Sequence, residues 1–281
     1  MKVLITGAEG QLGKDFQKIL DNKQIEYFAV DLDLNITDYD RLDEYVRGKQ
    51  ISHIINCAAY NEVDKAEDDW ETAFAVNGSG AKNLSLVAKN LNAVLVHYST
   101  DYVFDGKKGE AYTISDQPKP LSKYGESKLL GEQMTQKFAS KYFLIRTSWL
   151  FGLANENFVT KVLKWSQNNK ELSIVSDQIS CPTYSFDLAK ASLDLIRTEK
   201  YGLYHITNTE YCSRYEWAKY ILDMTKWEGK IKSSLSSQFK TAAKRPVFSA
   251  LDSCGLEKVI GYQLPNWQDA TKRYLEEKKV I

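Results

Sequence analysis

Metal-binding and nucleophilic chemistry has little to draw on in this chain. Only four of its 281 residues are cysteine (Cys57, Cys181, Cys212 and Cys254), and none falls in Cys-x-x-Cys spacing. That argues against a zinc site and against a disulfide framework. The three histidines, His53, His97 and His205, each sit in a short apolar run and are expected to be core or sheet residues. Ser-His-Asp and zinc-hydrolase mechanisms therefore drop out. Net charge is also missing: Lys+Arg 37 offsets Asp+Glu 37, which gives no sign of a nucleic-acid or anionic-membrane partner. No apolar run approaches the roughly 18 residues that would span a bilayer. Met1–Gly7 carries too short an apolar stretch for a signal peptide, so a cytoplasmic protein is expected. Proline does not occur before Pro118, which suits uninterrupted β-α units.

The chain is long enough for one large domain or one and a half. Its 43% hydrophobic and 26% charged content is that of an ordinary soluble globular protein. Residues 2–6 read as a buried strand, followed by Gly7-Ala8-Glu9-Gly10-Gln11-Leu12-Gly13 and an amphipathic segment to about Leu20. Strand, glycine turn and helix together make a dinucleotide-binding arrangement: glycines let the backbone approach a pyrophosphate, and the helix N-terminus supplies amides. Further strands are expected at 27–30, 51–56, 93–98 and 142–146, with helices from Asn77 to about Lys89 and from Tyr124 to Phe138. Alternating strands and helices predict an α/β fold with a doubly wound parallel sheet. After Gly152 the rhythm changes to a basic helix (160–168) and Ser/Thr-rich, basic loops. The expected division is 1–148 for dinucleotide binding and 149–281 for a smaller, mixed substrate lobe. Strands near 172–175 and 203–206 are expected to return to the first sheet.

Within this frame some residues carry chemistry. Asp31 ends the second strand, where a carboxylate can accept from the adenosine ribose hydroxyls and repel a 2′-phosphate. No arginine adjoins it, which favours NADH over NADPH. Small residues after the third strand (Cys57-Ala58-Ala59, then Tyr60) allow close approach of a cofactor. Tyr124 and Lys128 are four apart and share a helix face. An ammonium beside a phenol is expected to lower the phenol's pKa, making it a proton donor near neutral pH. Thr100, at the end of an apolar strand, can hold the oxygen that Tyr124 protonates.

Several strings occur together: Gly7-x-x-Gly10-Gln11-Leu12-Gly13, Asn56-Cys57-Ala58-Ala59-Tyr60, Ser99-Thr100-Asp101-Tyr102-Val103-Phe104, Tyr124-x-x-x-Lys128, Arg146-Thr147-Ser148-Trp149 and Arg245-Pro246. In these the chain resembles dTDP-4-dehydrorhamnose reductases, which are extended short-chain dehydrogenase/reductases, nearly from end to end. The resemblance implies NADH- or NADPH-dependent reduction of the C4 ketone of dTDP-4-dehydro-L-rhamnose to dTDP-L-rhamnose. It also implies that Tyr124 donates the proton, Lys128 tunes it and binds the nicotinamide ribose, and Thr100 holds the ketone. Gly7, Gly10, Gln11, Leu12, Gly13, Asn35, Ile36, Ala58, Ala59, Tyr60 and Asn77 fall on the cofactor side. Asp101 and Trp149 match sugar contacts, and Asn157 and Arg245 match diphosphate contacts. Two positions depart from the family pattern: Asn35 replaces an aspartate, and Ser180 replaces a glycine. Some members dimerise through magnesium held by glutamates. Asp15 matches that pattern only loosely, so no metal is expected, and the chain is read as a monomer or homodimer. A nucleotide-sugar 4-epimerase, a reductase of another 6-deoxy-4-ketohexose, or a non-catalytic subunit on this scaffold remain alternatives.

Overall fold

The computed structural model describes residues 1–253 and 255–281; Cys254 lies outside the described residues. A six-stranded parallel sheet forms the centre. Its strands run in the order Tyr27–Val30, Val3–Thr6, His53–Asn56, Val94–Thr100, Tyr142–Thr147 and Gly202–His205. Alternation along the four inner strands divides their side chains between two covered faces. Ile5, Val96 and Ile145 pack with Leu12, Phe16 and Leu188 on one side. Leu4, Ile54 and Leu95 pack with Leu42 and Leu84 on the other. Burial on both faces explains why these strands read as continuous apolar runs. No described helix is long and apolar enough to cross a membrane.

Two expectations need correction. The 203–206 run does enter the sheet, as Gly202–His205 beside Tyr142–Thr147. The 172–175 run does not: Glu171–Val175 pairs in parallel with Lys230–Ser234 in a separate two-stranded sheet. Only Leu172 and Ile174 of that strand are buried, a one-sided pattern that suits a peripheral pair. They join a second core built on Phe151, Trp217, Trp267 and Tyr274. Asn77 does not begin a helix either. Helical backbone starts at Trp70–Phe74, passes through a π turn over Ala75–Gly80, and continues as Ala81–Asn90. Asparagine is a common helix cap, but this one spends its amide on the Tyr60 loop: it accepts from Tyr60 N at 2.9 Å and donates to Tyr60 O at 3.1 Å.

The Lys123–Phe138 helix is capped by Ser122, whose Oγ accepts from Gly125 N at 3.2 Å. Tyr124, Lys128 and Glu132 recur every fourth residue along one face. Glu132 and Arg146 form an ion pair with both side chains 3% exposed. The pairing is two-pronged, at 2.8 Å from Nε and 2.6 Å from Nη2, and Ser99 Oγ donates to the same carboxylate at 2.6 Å. Removing one partner strands a buried charge, at a cost of about 3–5 kcal/mol. Glu132→Ala should therefore lower unfolding free energy in urea by about that amount, and Glu132→Leu with Arg146→Met should recover much of it. A loss below about 1 kcal/mol for Glu132→Ala would mean that the pair does not anchor the helix.

Candidate active site

The sheet order reverses between Val3–Thr6 and His53–Asn56, so the loops leaving these strands diverge and open a crevice at their carboxyl ends. Gly7 turns the first loop with φ +67°, and a Cβ there would stand 2.4 Å from Ala58 N. A Cβ on Gly13 would stand 2.4 Å from Gly7 O, so the helix can seat against the turn only without one. Thr6 Oγ1 and Ala58 N both donate to Asn56 Oδ1, at 2.8 and 3.1 Å, fixing the opposite wall. A cavity of about 880 Å³ lies along the crevice; Gly7, Gly10, Asp31, Asn35, Ile36 and the Ala58-Ala59-Tyr60 turn line it. This cradle fits a dinucleotide. Asn35 does not reach far into it, because its Oδ1 accepts from Thr37 N and Thr37 Oγ1, both at 3.0 Å. Asn77 lines neither this cavity nor the next. Buried between the Tyr60 loop and Ser127 Oγ (2.9 Å), it positions both.

A narrower cleft of about 270 Å³ continues from Gln11, Leu12 and Gly13 to Thr100, Tyr124, Lys128 and Trp149. The three residues expected to carry catalysis thus meet on one cleft with the glycine turn. The Tyr124 ring is buried and held edge-on by Tyr102 at 5.7 Å, and its hydroxyl faces Asn61 Oδ1 at 3.4 Å. Thr100 Oγ1 donates to Asp101 Oδ1 at 3.1 Å. Lys128 Nζ donates to Tyr98 O at 2.6 Å.

The expected depression of the Tyr124 pKa by Lys128 does not occur. Burial pushes the phenol above its usual range; the Thr100 hydrogen bond works against this, and the charge of Asp101 adds to it. Lys128 itself is pulled by burial from 10.5 to about 8, opposed by Glu132 and Cys57. Helical spacing puts both groups on one face, but the Tyr98 carbonyl draws the ammonium. Tyr124 is therefore a neutral phenol near pH 7, a state that can give up a proton.

The residues expected around the substrate are already engaged. Asp101 is 1% exposed and accepts from Ser249 Oγ at 2.5 Å and Ser180 Oγ at 3.1 Å, so it ties the sheet to the second lobe. Burial raises its pKa to about 6 against the pull of those hydroxyls. The departure at Ser180 is what supplies one of them. Asn157 caps the Phe158–Asn168 helix through Thr160 N and donates to Gly152 O at 2.8 Å. Arg245 grips Asp64 at 3.1 and 2.6 Å, and that hydrogen bond holds Asp64 below the usual carboxylate range. Trp149 lines the cleft with φ +43°, a strained value for a tryptophan.

Sequence reasoning missed Asn61, Glu132 and Arg214. Arg214 follows Ser213, whose side chain forms a capping box with Glu216, and the Ser-x-x-Glu spacing marked that helix start. Asp15 accepts from Ser185, while Glu277 pairs with Lys18 and Asp187 with Arg273. No group of three or more His, Cys, Asp or Glu side chains able to hold a metal occurs among the described residues.

Fold and cleft define a nicotinamide-dependent reductase of the short-chain type. Residues 1–280 match the family described as RmlD substrate binding domain. The crystal structure of a dTDP-4-dehydrorhamnose reductase from Clostridium acetobutylicum superposes with a TM-score of 0.97 at 38% identity, covering 99% of this chain and 100% of that one. A dTDP-4-dehydrorhamnose reductase from Bacillus anthracis, in complex with NADP, gives 0.94 at 37%, covering 98% and 99%. The spore coat polysaccharide biosynthesis protein SpsK of Bacillus subtilis is 36% identical over 278 residues, 99% of this chain and 98% of that one. The chain belongs to the dTDP-4-dehydrorhamnose reductase family.

The Lys128 environment has a direct consequence. Because its folded pKa lies below 10.5, the charged form costs stability. This group's contribution is complete above about pH 10.4 and is lost as pH falls toward about 8. Side-chain NMR of Lys128 in the ligand-free protein should show a midpoint near pH 8, well below surface lysines. A midpoint at or above about 10 would contradict this account of the cleft.

Proposed function

We infer that the chain reduces the C4 ketone of dTDP-4-dehydro-L-rhamnose to dTDP-L-rhamnose with NADH or NADPH, a step in nucleotide-sugar and cell-surface polysaccharide biosynthesis. The observation that carries this reading is the single cleft shared by the glycine turn, Thr100, Tyr124 and Lys128. We assign residues 1–148 mainly to the cofactor, 149–281 mainly to the substrate, and the reaction to the cytoplasm. The free thiols of Cys57, Cys181 and Cys212 suit that compartment.

The crevice that Asp31 lines and the cleft that Lys128 lines would hold the nicotinamide cofactor, which would supply hydride to the sugar C4. Thr100 Oγ1, whose one hydrogen goes to Asp101 Oδ1 in the free protein, would turn it to the ketone oxygen and fix its position. As that oxygen becomes an alkoxide, the Tyr124 hydroxyl passes its proton to it, and the O–H bond of the phenol breaks. The resulting phenolate would be costly in a site that disfavours it by burial. Lys128 has three donors, so it can keep the Tyr98 carbonyl and turn another toward the phenolate or the ribose.

Tyr124→Phe keeps the packing against Tyr102 and removes the acid. Its kcat should fall about 10²- to 10⁴-fold, with NADH binding retained by fluorescence titration. A variant keeping more than about half of wild-type kcat would remove Tyr124 from the mechanism.

Cofactor preference follows from the walls of the larger crevice. Among the described residues, Glu9, Asp31 and Glu62 line it and no lysine or arginine does, so a 2′-phosphate meets only negative charge. Asp31 Oδ2 is held toward the crevice by Glu9 N at 2.8 Å. NADH should give the higher kcat/KM, and Asp31→Ser should narrow or reverse the difference. A wild-type preference for NADPH of about tenfold or more would contradict the role given to Asp31.

A further inference from the structure

We propose that Arg214, not Arg245, is the cation that receives the diphosphate of the nucleotide-sugar substrate. The inference rests on the substrate class proposed above and names the residue that selects for it.

A cavity of about 930 Å³ lies beside the catalytic cleft. Among the described residues, Lys161, Arg214, Lys244 and Arg245 line it and no carboxylate does. Phe158 and Trp165 add flat apolar walls on which a base can stack. The space therefore suits a nucleoside diphosphate, and the four cations differ in how free they are. Arg245 is committed: its two terminal nitrogens grip Asp64, and Nη1 also donates to Ala243 O at 3.2 Å. An incoming phosphate would compete with a carboxylate that Arg245 already holds in a two-pronged pair. Lys161 is half-exposed and already near Glu156 at 3.6 Å, and Lys244 is exposed, so water competes for its ammonium.

Arg214 forms no ion pair among the described residues. Its guanidinium lies over the Trp149 ring at 3.6 Å, with Phe158 at 4.7 Å and Trp217 at 5.7 Å. Stacking occupies the faces of the guanidinium and leaves its N–H edge available, the edge that matches phosphate oxygens in a planar fork. Burial and the nearby Arg245 pull its pKa down to about 10, with Tyr102 and Asp101 opposing, so it remains charged at neutral pH. The negative group it senses, Asp101, is turned to Ser180 and Ser249 and does not neutralise it.

Trp149, with its positive φ, connects the two sites. That residue lines the catalytic cleft on one side and supports Arg214 on the other. A diphosphate held at Arg214 would place the attached sugar across Trp149, toward Thr100 and Tyr124. Arg245 and Asp64 then act as a latch between the Asn61–Lys65 segment and the second lobe rather than as the first anion contact.

Calorimetric titration with dTDP and with thymidine tests the assignment without any turnover. Arg214→Met should weaken dTDP binding about 10- to 100-fold and leave thymidine binding within about twofold of wild type. Arg245→Met should cost dTDP less than Arg214→Met does. Arg214→Lys keeps the charge but not the fork, so it should fall between wild type and Arg214→Met. It also serves as the test if Arg214→Met fails to fold. Unchanged dTDP binding in Arg214→Met, or in Arg214→Lys where Arg214→Met does not fold, would overturn the proposal. So would a loss for thymidine as large as that for dTDP, which would mark a structural role. A wild-type protein that binds neither compound would instead overturn the nucleotide-sugar reading beneath it.

Discussion

The buried pair between Glu132 and Arg146 ties together the parts on which the cleft depends. Glu132 stands one turn beyond Lys128 and two beyond Tyr124 on the same helix face. Its carboxylate receives Arg146, from the strand that leads to Trp149, and Ser99, next to Thr100. One ion pair therefore sets the helix carrying Tyr124 and Lys128 against the two strand ends that lead to Thr100 and Trp149. Its negative charge also acts on Lys128, countering the burial that would otherwise pull that ammonium further down. Ion pairs this deep are poor sources of net stability, because desolvation consumes most of the attraction. Here the pair fixes geometry.

Two further charged contacts join the lobes. Asp101 leaves the sheet and accepts hydroxyls from Ser180 and Ser249; Arg245 reaches back to Asp64. Both residues fit a substrate role on chemistry alone, and both spend that chemistry on holding the two halves together. Polar groups with spare capacity at the junction include the Tyr124 hydroxyl, loosely matched to Asn61, and the stacked Arg214 guanidinium. A ketone needs a donor and a diphosphate needs a cation. On the reading proposed above, these two groups would supply them, with Trp149 lining the cleft beside one and stacked on the other.

Much of this architecture was legible in the chain itself. Apolar runs such as Val94–Val96 and Phe143–Ile145 announce a sheet covered on both faces, and the Gly7–Gly13 turn announces what sits at its edge. Local pattern failed where partners lie far away in sequence. Leu172 and Ile174 look like any short strand until Lys230–Ser234 is seen beside them. Asn77 has the chemistry of a cap, yet Tyr60, 17 residues earlier, takes its amide. The four-residue spacing of Tyr124 and Lys128 is real, but spacing does not reveal that the Tyr98 carbonyl lies within 2.6 Å of the ammonium. Arg245 was visible as an arginine before proline; Asp64, its partner 181 residues away, was not. Arg214 escaped because stacking on three aromatic rings leaves no mark in local sequence.

The central claim is that the cleft performs one net hydride and proton transfer to a sugar C4. Its most direct test is incubation of the purified protein with dTDP-4-dehydro-L-rhamnose and NADH deuterated at the transferring position, with the product read by NMR. The account predicts one deuterium at C4 of dTDP-L-rhamnose, with NADH consumed mole for mole. A product that carries deuterium elsewhere, or an epimerised sugar formed with no net consumption of NADH, would contradict it.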